Sequence, residues 1–213
     1  MLALKKIYKS FHHKRFLSKN SLNKHVLKDV NLNFKKGSIN LINGKNGSGK
    51  TTLLRIIAGI TFPDRGSIYL DNKELNCNMV SYTSNNSRGF FWRISAFENL
   101  RYFFTLNHCC TDRSKILDLA DAFSIKDKLD KPLQELSLGE IQKINLIRGI
   151  GVDSEIFLFD EAEASLDNNS KDYLLSHLGQ LKRKNKYIIN VSHEANFLTN
   201  KSDQIINSND FVN

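Results

Sequence analysis

Residues 44–59 read GKNGSGKTTLLRIIAG, a glycine-rich loop followed by a segment with helical periodicity. The first eight residues fit the pattern GxxxxGK[ST] at every required position, and they lie between an apolar segment typical of a strand and a predicted helix. Glycine lets successive backbone N–H groups turn inward, a geometry that most side chains obstruct, and a helix N-terminus favours anions. The stretch therefore predicts a cradle for phosphate groups at a strand-to-helix turn.

The residues of this loop are the first candidates for nucleotide contacts. Lys50 is placed to reach the β- and γ-phosphates of a nucleotide, and the Thr51 hydroxyl is placed to ligate Mg²⁺. The alternative, a glycine-rich turn with a chance lysine, is disfavoured because three glycines, the Lys-Thr pair and both flanking elements occur together. The residues predicted to bind the nucleotide here are Gly44, Lys45, Asn46, Gly47, Ser48, Gly49, Lys50, Thr51 and Thr52.

Two carboxylates follow an apolar strand further along the chain. Residues 155–160, EIFLFD, predict a buried strand that ends at Asp160, with Glu161 next to it. Ligands of open α/β sheets bind at that end of the strands. We expect Asp160 to hold Mg²⁺ through water and Glu161 to accept a proton from an attacking water. His193 follows the next apolar strand, 187–192, where a contact with the γ-phosphate, a role in orienting Glu161 and a purely structural role are all open.

Composition and charge limit the classes of protein to consider. The 213 residues are 40% hydrophobic and 25% charged, typical of a globular domain that buries a core. No apolar run approaches the ~18 residues of a spanning helix, and the start lacks the apolar region of a signal peptide, so we expect a cytosolic protein. The net charge of +9 admits nucleic acid, an anionic membrane surface or a nucleotide as partner, but the basic residues are scattered through the chain.

The cysteines, Cys77 and the pair Cys109 and Cys110, form no CxxC, and we expect free, buried thiols.

The alternation of predicted strands and helices along the chain predicts an α/β fold. Residues 25–43 predict two strands around a Lys-Lys-Gly turn, and helical segments at 140–150 and 171–184 alternate with the buried strands. Continuously apolar strands suit a mostly parallel sheet that is covered on both faces. We predict a P-loop NTPase fold of the α/β class, with a mostly parallel sheet core, an N-terminal antiparallel β subdomain and an inserted α-helical subdomain. The predicted parts of a single domain, 1–213, are the α/β core, 1–84 and 136–213, and the aromatic-rich helical subdomain, 85–135.

Taken together, these residues resemble the nucleotide-binding subunit of an ABC transporter over nearly the whole chain. The phosphate loop resembles the Walker A motif of that family, and IFLFDE resembles its Walker B motif with the catalytic glutamate at Glu161. Residues 164–167, ASLD, resemble the D-loop, and His193 matches the switch histidine. The resemblance implies an ATPase with ATP and Mg²⁺ as ligands, and with Glu161, His193 and Lys50 as catalytic residues.

The segment LSLGE, residues 136–140, stands where the family has its signature sequence LSGGQ. The resemblance implies that Ser137 and Gly139 contact the γ-phosphate of ATP bound to a second subunit. Leu138 and Glu140 depart from the family pattern, and we expect Leu138 to face the protein. A carboxylate beside phosphate is adverse unless it points away or bonds to the free N–H groups of the helix, so we expect Glu140→Gln not to reduce ATPase activity.

Two further positions match the family less closely. A family glutamine follows the strand before the helical subdomain, touches Mg²⁺ and couples to the membrane partner; here Asn85, or Asn86 if the register slips, takes its place. Asn is one methylene shorter, so metal contact needs water or a shifted backbone. The adenine-stacking aromatic is matched best by Phe11, with Tyr8 and Phe16 as alternatives.

The resemblance also implies partners. Such subunits act as head-to-tail dimers, here with a second copy or a homologous ATPase subunit, and drive a separate integral-membrane permease that we expect to dock near 85–92. The run SRGFFWR followed by FENLRYFF is similar to a variant of some ABC exporters. The expected location is cytoplasmic, peripheral on the cytoplasmic face of the membrane.

A soluble ABC-type ATPase acting on nucleic acid or ribosomes is the alternative function. Such proteins commonly join two ATPase domains in one chain or insert a long coiled coil, so no nucleic acid is expected as a partner here. A P-loop kinase would need no signature segment, D-loop or switch histidine.

Overall fold

The computed structural model describes residues 1–13, 22–85, 89–107, 113–192 and 198–211. Within them the strands are β1 (Leu2–His13), β2 (Leu22–Phe34), β3 (Ser38–Asn43), β4 (Arg65–Leu70), β5 (Lys73–Glu74), β6 (Val80–Ser84), β7 (Ile156–Asp160), β8 (Tyr187–Val191) and β9 (Gln204–Asn207). The α-helices are α1 (Lys50–Ile57), α2 (Ala96–Leu106), α3 (Arg113–Ala122), α4 (Leu138–Ile150) and α5 (Asn168–Arg183). Short 3₁₀ helices are Cys77–Met79, Lys126–Lys128, Leu133–Glu135, Thr199–Lys201 and Ser208–Phe211.

The strands form two sheets, as predicted. The parallel sheet has the order β6-β7-β8-β3-β9, and the antiparallel sheet has the order β2-β1-β4-β5. Every residue of β7 and β8 is buried, which is the pattern of strands covered on both faces. Because neighbouring strands of the first sheet run in the same direction, the carboxyl ends of β3, β7 and β8 meet at one edge.

The parallel sheet separates two apolar clusters. Alternation of side chains along the strands sends Ile42 and Leu158 to one face, where they pack with α1 and the antiparallel sheet. Leu41 and Phe159 lie on the other face, against a cluster that includes residues of α2, α3, α4 and α5. Successive side chains of one strand point to opposite faces of the sheet, so the same strands contribute to both apolar clusters.

The predicted helical segment, 85–135, contains α2, α3 and two of the short 3₁₀ helices, and among its described residues β-pairing is limited to the bridge between Ser95 and Pro132. The fully buried Asn99 fastens the loop before α2: its Oδ1 accepts a hydrogen bond from the N–H of Phe91 at 2.9 Å. Its Nδ2 donates to the carbonyls of Phe91 and Ser95, at 2.9 and 3.0 Å. The loop is therefore tied to the helix that follows it.

Some expectations need correction. Cys77 was expected to be buried, but it is exposed, because it begins a short 3₁₀ helix at the surface between β5 and β6. Cys109 and Cys110 lie outside the described residues. Helix α4 begins at Leu138 and α5 at Asn168, both earlier than their apolar periodicity indicates, since each starts from a polar capping residue. Among the described helices, none is long and apolar enough to cross a membrane.

Candidate functional site

The phosphate loop and the predicted carboxylates meet at the carboxyl edge of the parallel sheet. The loop follows β3 and leads into α1, Asp160 ends β7, and Glu161 comes next. A cavity of about 360 Å³ opens at this edge, with both Lys50 and Glu161 in its wall. The residues that line it are Val26, Asn46, Gly47, Gly49, Lys50, Thr51, Thr52 and Glu161. Residues more than one hundred positions apart in the sequence thus share one site.

The phosphate loop wraps around the Lys50 side chain. Lys50 is buried, and its Nζ donates hydrogen bonds to the carbonyls of Gly44 and Lys45, at 2.7 and 2.9 Å. Burial lowers the pKa of Lys50, while the nearby Glu161 and Asp160 act to raise it. A phosphate that enters the cavity would meet a cation already fixed in position.

Gly49 begins helix α1, and the backbone there requires glycine. Its φ of 97° lies in the left-handed region, and an added Cβ would lie 2.8 Å from the carbonyl oxygen of Val26. No side chain caps α1 at Gly49, and the first turn of the helix contains no acidic residue. The N–H groups and the dipole of α1 are therefore available to an anion in the cavity.

Asp160 is held by a hydroxyl on each side. The Thr51 Oγ1 donates to its Oδ1 at 3.0 Å, and the Tyr82 hydroxyl donates to its Oδ2 at 2.8 Å. A hydroxyl and a carboxylate in direct contact, next to the cavity, form an oxygen donor set that suits Mg²⁺. Burial, and then the charge of Asp160, raises the pKa of Tyr82 to about 12, so Tyr82 remains a hydrogen-bond donor. Sequence reasoning missed Tyr82.

Glu161 has a left-handed backbone, with a φ of 55°. Such a conformation is uncommon for a residue other than glycine and costs on the order of 1–3 kcal/mol. The turn is held by the Glu161 N–H, which donates to the carbonyl of Val191 at 2.8 Å, and by the Ala164 N–H, which donates to the Glu161 carbonyl at 3.1 Å. The sharp turn places Glu161 in the cavity wall. His193, which was also predicted to be catalytic, lies outside the described residues.

Asn85 and Phe11 lie at the margin of the site. The Asn85 N–H donates to the carbonyl of Asp160 at 3.0 Å, so its backbone adjoins the predicted magnesium carboxylate, while its side chain is exposed. Phe11 is 41% exposed on β1, with the Lys9 ammonium 5.5 Å from its ring centre. Neither residue lines the cavity, and their contacts with metal and adenine remain predictions. Tyr8 lines a different concavity, and Asn86 and Phe16 lie outside the described residues.

Ser137 and Glu140 form a capping box at the start of α4. The Ser137 Oγ accepts the Glu140 N–H at 3.3 Å, and the Glu140 carboxylate accepts the Ser137 N–H at 2.8 Å and its hydroxyl at 2.9 Å. The two bonds that the carboxylate accepts from Ser137, first from the N–H and then from the hydroxyl, lower the pKa of Glu140. The carboxylate is thus bonded at the helix start, one of the two arrangements that the sequence left open. Leu138 was expected to face the protein, and this was wrong: it is 83% exposed, because the buried face of α4 begins only at Ile141.

The signature segment adjoins the D-loop rather than the phosphate cavity. A Cβ on Gly139 would lie 3.4 Å from the carbonyl oxygen of Ser165. Lys143 forms an ion pair with Asp167 at 2.5 Å, and this contact, followed by the bond from the Ser170 N–H, lowers the pKa of Asp167 to about 2. Within the described part of the chain, neither Ser137 nor Gly139 lines the phosphate cavity.

Comparison with known proteins identifies relatives along most of the chain. The ABC transporter family profile matches residues 27–164. The ABC transporter ATP-binding protein NatA of Bacillus subtilis (strain 168) is 33% identical over 84% of this chain and 76% of its own length. The cytochrome c biogenesis ATP-binding export protein CcmA of Rickettsia bellii (strain RML369-C) is 32% identical over 92% of this chain and 97% of its own length. Some relatives are named as importers, such as the L-cystine import ATP-binding protein TcyN of Bacillus subtilis (strain 168), 28% identical over 85% of this chain and 76% of its own length.

A solved structure has the same fold. It is the dimeric structure of a post-hydrolysis state of an ATP-binding cassette bound to ADP and phosphate, and it matches 97% of this chain and 94% of its own with a TM-score of 0.81 and 22% identity. The match confirms the predicted P-loop NTPase fold. With a family profile that spans more than half of the chain, and with the phosphate loop and Glu161 in the wall of one cavity, the protein belongs to the ABC transporter family and is an ATP-binding, ATP-hydrolysing subunit.

Proposed function

We propose that this protein is the ATPase subunit that powers a separate integral-membrane permease, an exporter, through ATP-driven closure of a head-to-tail dimer. One observation carries the proposal: the phosphate loop and Glu161 line one cavity, whereas Ser137 and Gly139 lie outside it. A subunit with this geometry would supply the phosphate loop and Glu161 to one ATP site, and Ser137 and Gly139 to a second ATP site. A second copy, or a homologous ATPase subunit, would supply the other half of each site. Residues 1–213 would form one ABC-type ATPase domain.

In this proposal each residue of the site has its own role in ATP binding or hydrolysis. The backbone N–H groups of the loop and the Lys50 ammonium would bind the β- and γ-phosphates, and Thr51, Asp160 and Asn85 would hold Mg²⁺. Bound Mg²⁺ would neutralise the charge that develops on the phosphate oxygens. Glu161 accepts a proton from the attacking water, and His193 keeps that water and the γ-phosphate aligned. Phe11 stacks on the adenine.

Dimer closure would complete the site. Ser137 and Gly139 of one subunit approach the γ-phosphate held by the other, at the start of α4, where the helix dipole favours an anion. Closure that needs ATP in both sites, followed by opening after hydrolysis, converts the chemical step into motion. Such motion drives transport only when a permease is attached.

Exposed aromatic side chains support a docking surface beside the site. Phe91 and Trp92 are each 47% exposed on the loop before α2, and Phe62, after α1, is 79% exposed. A cavity of about 440 Å³ includes Thr61, the neighbour of Phe62 in the chain, and two basic residues, Arg55 and Arg148, in its wall. The Arg148 guanidinium lies 4.3 Å from the ring centre of Phe90, the residue before Phe91. In the proposal this surface binds a cytoplasmic loop of the permease, and the protein lies peripherally on the cytoplasmic face of the membrane. The proposal of export rather than import is based on the sequence around Phe91, SRGFFWR followed by FENLRYFF, which is similar to a variant of some ABC exporters.

Copurification tests the partner. Pull-down of the tagged protein from detergent-solubilised membranes of its own cells should recover a polytopic membrane protein. A double variant, Phe91→Ala with Trp92→Ala, should lose that partner, while Ile205→Ala, which trims an exposed apolar residue of β9, should keep it. Recovery of nucleic acid without a membrane partner would overturn the proposal in favour of the soluble alternative. Uptake and efflux assays with the recovered permease then decide the direction of transport.

Substitution of Glu161 tests the chemistry. Glu161→Gln should lower ATP turnover by roughly 10²- to 10⁴-fold, the usual contribution of a general base, and preserve ATP binding. Glu135→Gln, which makes the same change at an exposed position, should leave turnover unchanged. Near-normal hydrolysis by the Glu161→Gln protein would remove the role assigned to Glu161. Sedimentation of the same variant with ATP should reveal a dimer that is absent with ADP.

A further inference from the structure

We propose that Tyr82 is a positioning residue, which orients the Asp160 carboxylate for the metal ion from the side opposite to the phosphate loop. The inference rests on the proposed function, because it concerns the Mg²⁺ that Thr51 and Asp160 would hold there. Tyr82 lies within β6, whereas Thr51 is on α1, after β3, and Asp160 ends β7. It therefore adds a side-chain contact from β6, the strand that Asn85 follows.

The sheet register explains how Tyr82 reaches the carboxylate. Tyr82 pairs with Leu158 in the parallel ladder between β6 and β7. Asp160 lies two residues beyond Leu158, so the two side chains project from the same face of the sheet. The phenol ring spans the remaining separation and leaves its hydroxyl 2.8 Å from the Asp160 Oδ2.

The two hydroxyl bonds fix the plane of the carboxylate. Thr51 donates to Oδ1 from helix α1, and Tyr82 donates to Oδ2 from β6, so rotation of the Asp160 side chain would break one bond or both. Asp160 is only 5% exposed, which leaves little water to replace a lost bond. Groups that orient a metal ligand in this way commonly contribute about 10- to 100-fold to metal affinity.

Tyr82 is not in the wall of the nucleotide cavity. It lines the cavity of about 440 Å³ that contains Arg55 and Arg148, next to the proposed docking surface. The lining residues of this cavity and of the phosphate cavity do not overlap. Tyr82 thus acts on the metal only through Asp160, and it connects that carboxylate to a separate surface of the protein.

Metal binding tests this role directly. Mn²⁺ is a paramagnetic substitute for Mg²⁺, and its affinity for the ATP complex of the Glu161→Gln protein can be measured by electron paramagnetic resonance without turnover. Adding Tyr82→Phe should weaken Mn²⁺ binding by about tenfold and leave ATP binding in EDTA unchanged. Tyr173→Phe, which removes the hydroxyl of a half-buried tyrosine on α5, should change neither quantity. In an Asp160→Asn background, Tyr82→Phe should have no further effect on Mn²⁺.

Several outcomes would overturn the inference. An unchanged Mn²⁺ affinity in the Tyr82→Phe protein would mean that Asp160 needs no help from β6. An equal loss of ATP binding in EDTA would assign Tyr82 to the general structure of the site, and thermal unfolding of the variant would show the same defect. If the parent protein binds no Mn²⁺ in the presence of ATP, the proposed function fails instead, so the two failures are distinguishable.

Discussion

Helices α1 and α4 begin in opposite ways, although both are expected to face the phosphates of ATP. Helix α1 begins at Gly49, with no side-chain cap and no acidic residue in its first turn. Helix α4 begins at Ser137, with a complete capping box that includes Glu140. The start of α1 is thus left open for an external anion, whereas the start of α4 is already bonded to a carboxylate of the same chain.

A third helix shows what a capping box does by itself. Helix α2 begins with the same arrangement, in which Ser95 and Glu98 bond to each other's backbone N–H groups. No phosphate is expected at α2, so its box serves only to satisfy free N–H groups and to favour the helix. The box of α4 is the same stabilising arrangement at a position where a second subunit's ATP is proposed to bind. Contact with that ATP must therefore compete with Glu140 for Ser137.

The largest effect is expected from removal of the cation at α1. Lys50→Ala should weaken ATP binding by about 100-fold or more, because a buried charge that contacts phosphate is lost, and hydrolysis should fall with it. Calorimetric titration with ATP measures the change. Lys73→Ala is the control, since Lys73 is an exposed lysine of β5 that does not line the phosphate cavity, and its ATP affinity should change little. Unchanged affinity in the Lys50 variant would contradict the phosphate cradle.

An intermediate effect is expected when a glutamate is introduced into α1 at the position that Glu140 occupies in α4. Thr52 and Glu140 occupy the same position, the third residue of their helices. Thr52→Glu should place a carboxylate at the open helix start and lower ATP affinity by roughly tenfold, through repulsion of phosphate and loss of free N–H groups. Thr52→Gln has nearly the same shape without the charge and should bind ATP more tightly than Thr52→Glu. Equal affinities of the two variants would show that charge at this position is unimportant.

The smallest effect is expected when the acid of α4 is neutralised. Glu140→Gln can still accept the bonds from Ser137, so the helix cap is kept, but the charge that repels the second subunit's ATP is lost. We expect ATPase activity at saturating ATP to rise by about two- to fivefold, because the helix dipole is freed for phosphate. Glu98→Gln makes the identical change in the box of α2 and should leave activity unchanged. A loss of activity in the Glu140 variant alone would show that the carboxylate contributes to catalysis.

The parts of the site that the sequence predicted are those fixed by local geometry. The phosphate loop directly follows β3, and Asp160 and Glu161 lie at the end of β7, so their position at the sheet edge depends only on strand direction. The capping role of Glu140 was among the predicted options for the same reason, since Ser137 lies three residues away. His193 was predicted in the same way and remains a prediction.

The parts that the sequence did not predict depend on how distant segments pack. The bond between Tyr82 and Asp160 requires the pairing and register of β6 with β7, which neither strand encodes alone. The exposure of Leu138 depends on where α4 meets the core, and the exposure of Cys77 depends on a surface turn between two strands. Apolar character alone does not distinguish these positions from buried ones.

Asn99 has a consequence for the kinetics of docking. Its side chain bonds to the backbone of Phe91 and Ser95, on both sides of Trp92, so it restrains the loop that presents the two rings before a partner arrives. A partner that binds these rings loses little free energy to the ordering of the loop, so more of the contact free energy appears as affinity. Rigid surfaces of this kind commonly associate at roughly 10⁵ to 10⁷ M⁻¹s⁻¹, without a slow conformational step. The buried amide of Asn99 would thus affect how quickly the ATPase and the proposed permease associate.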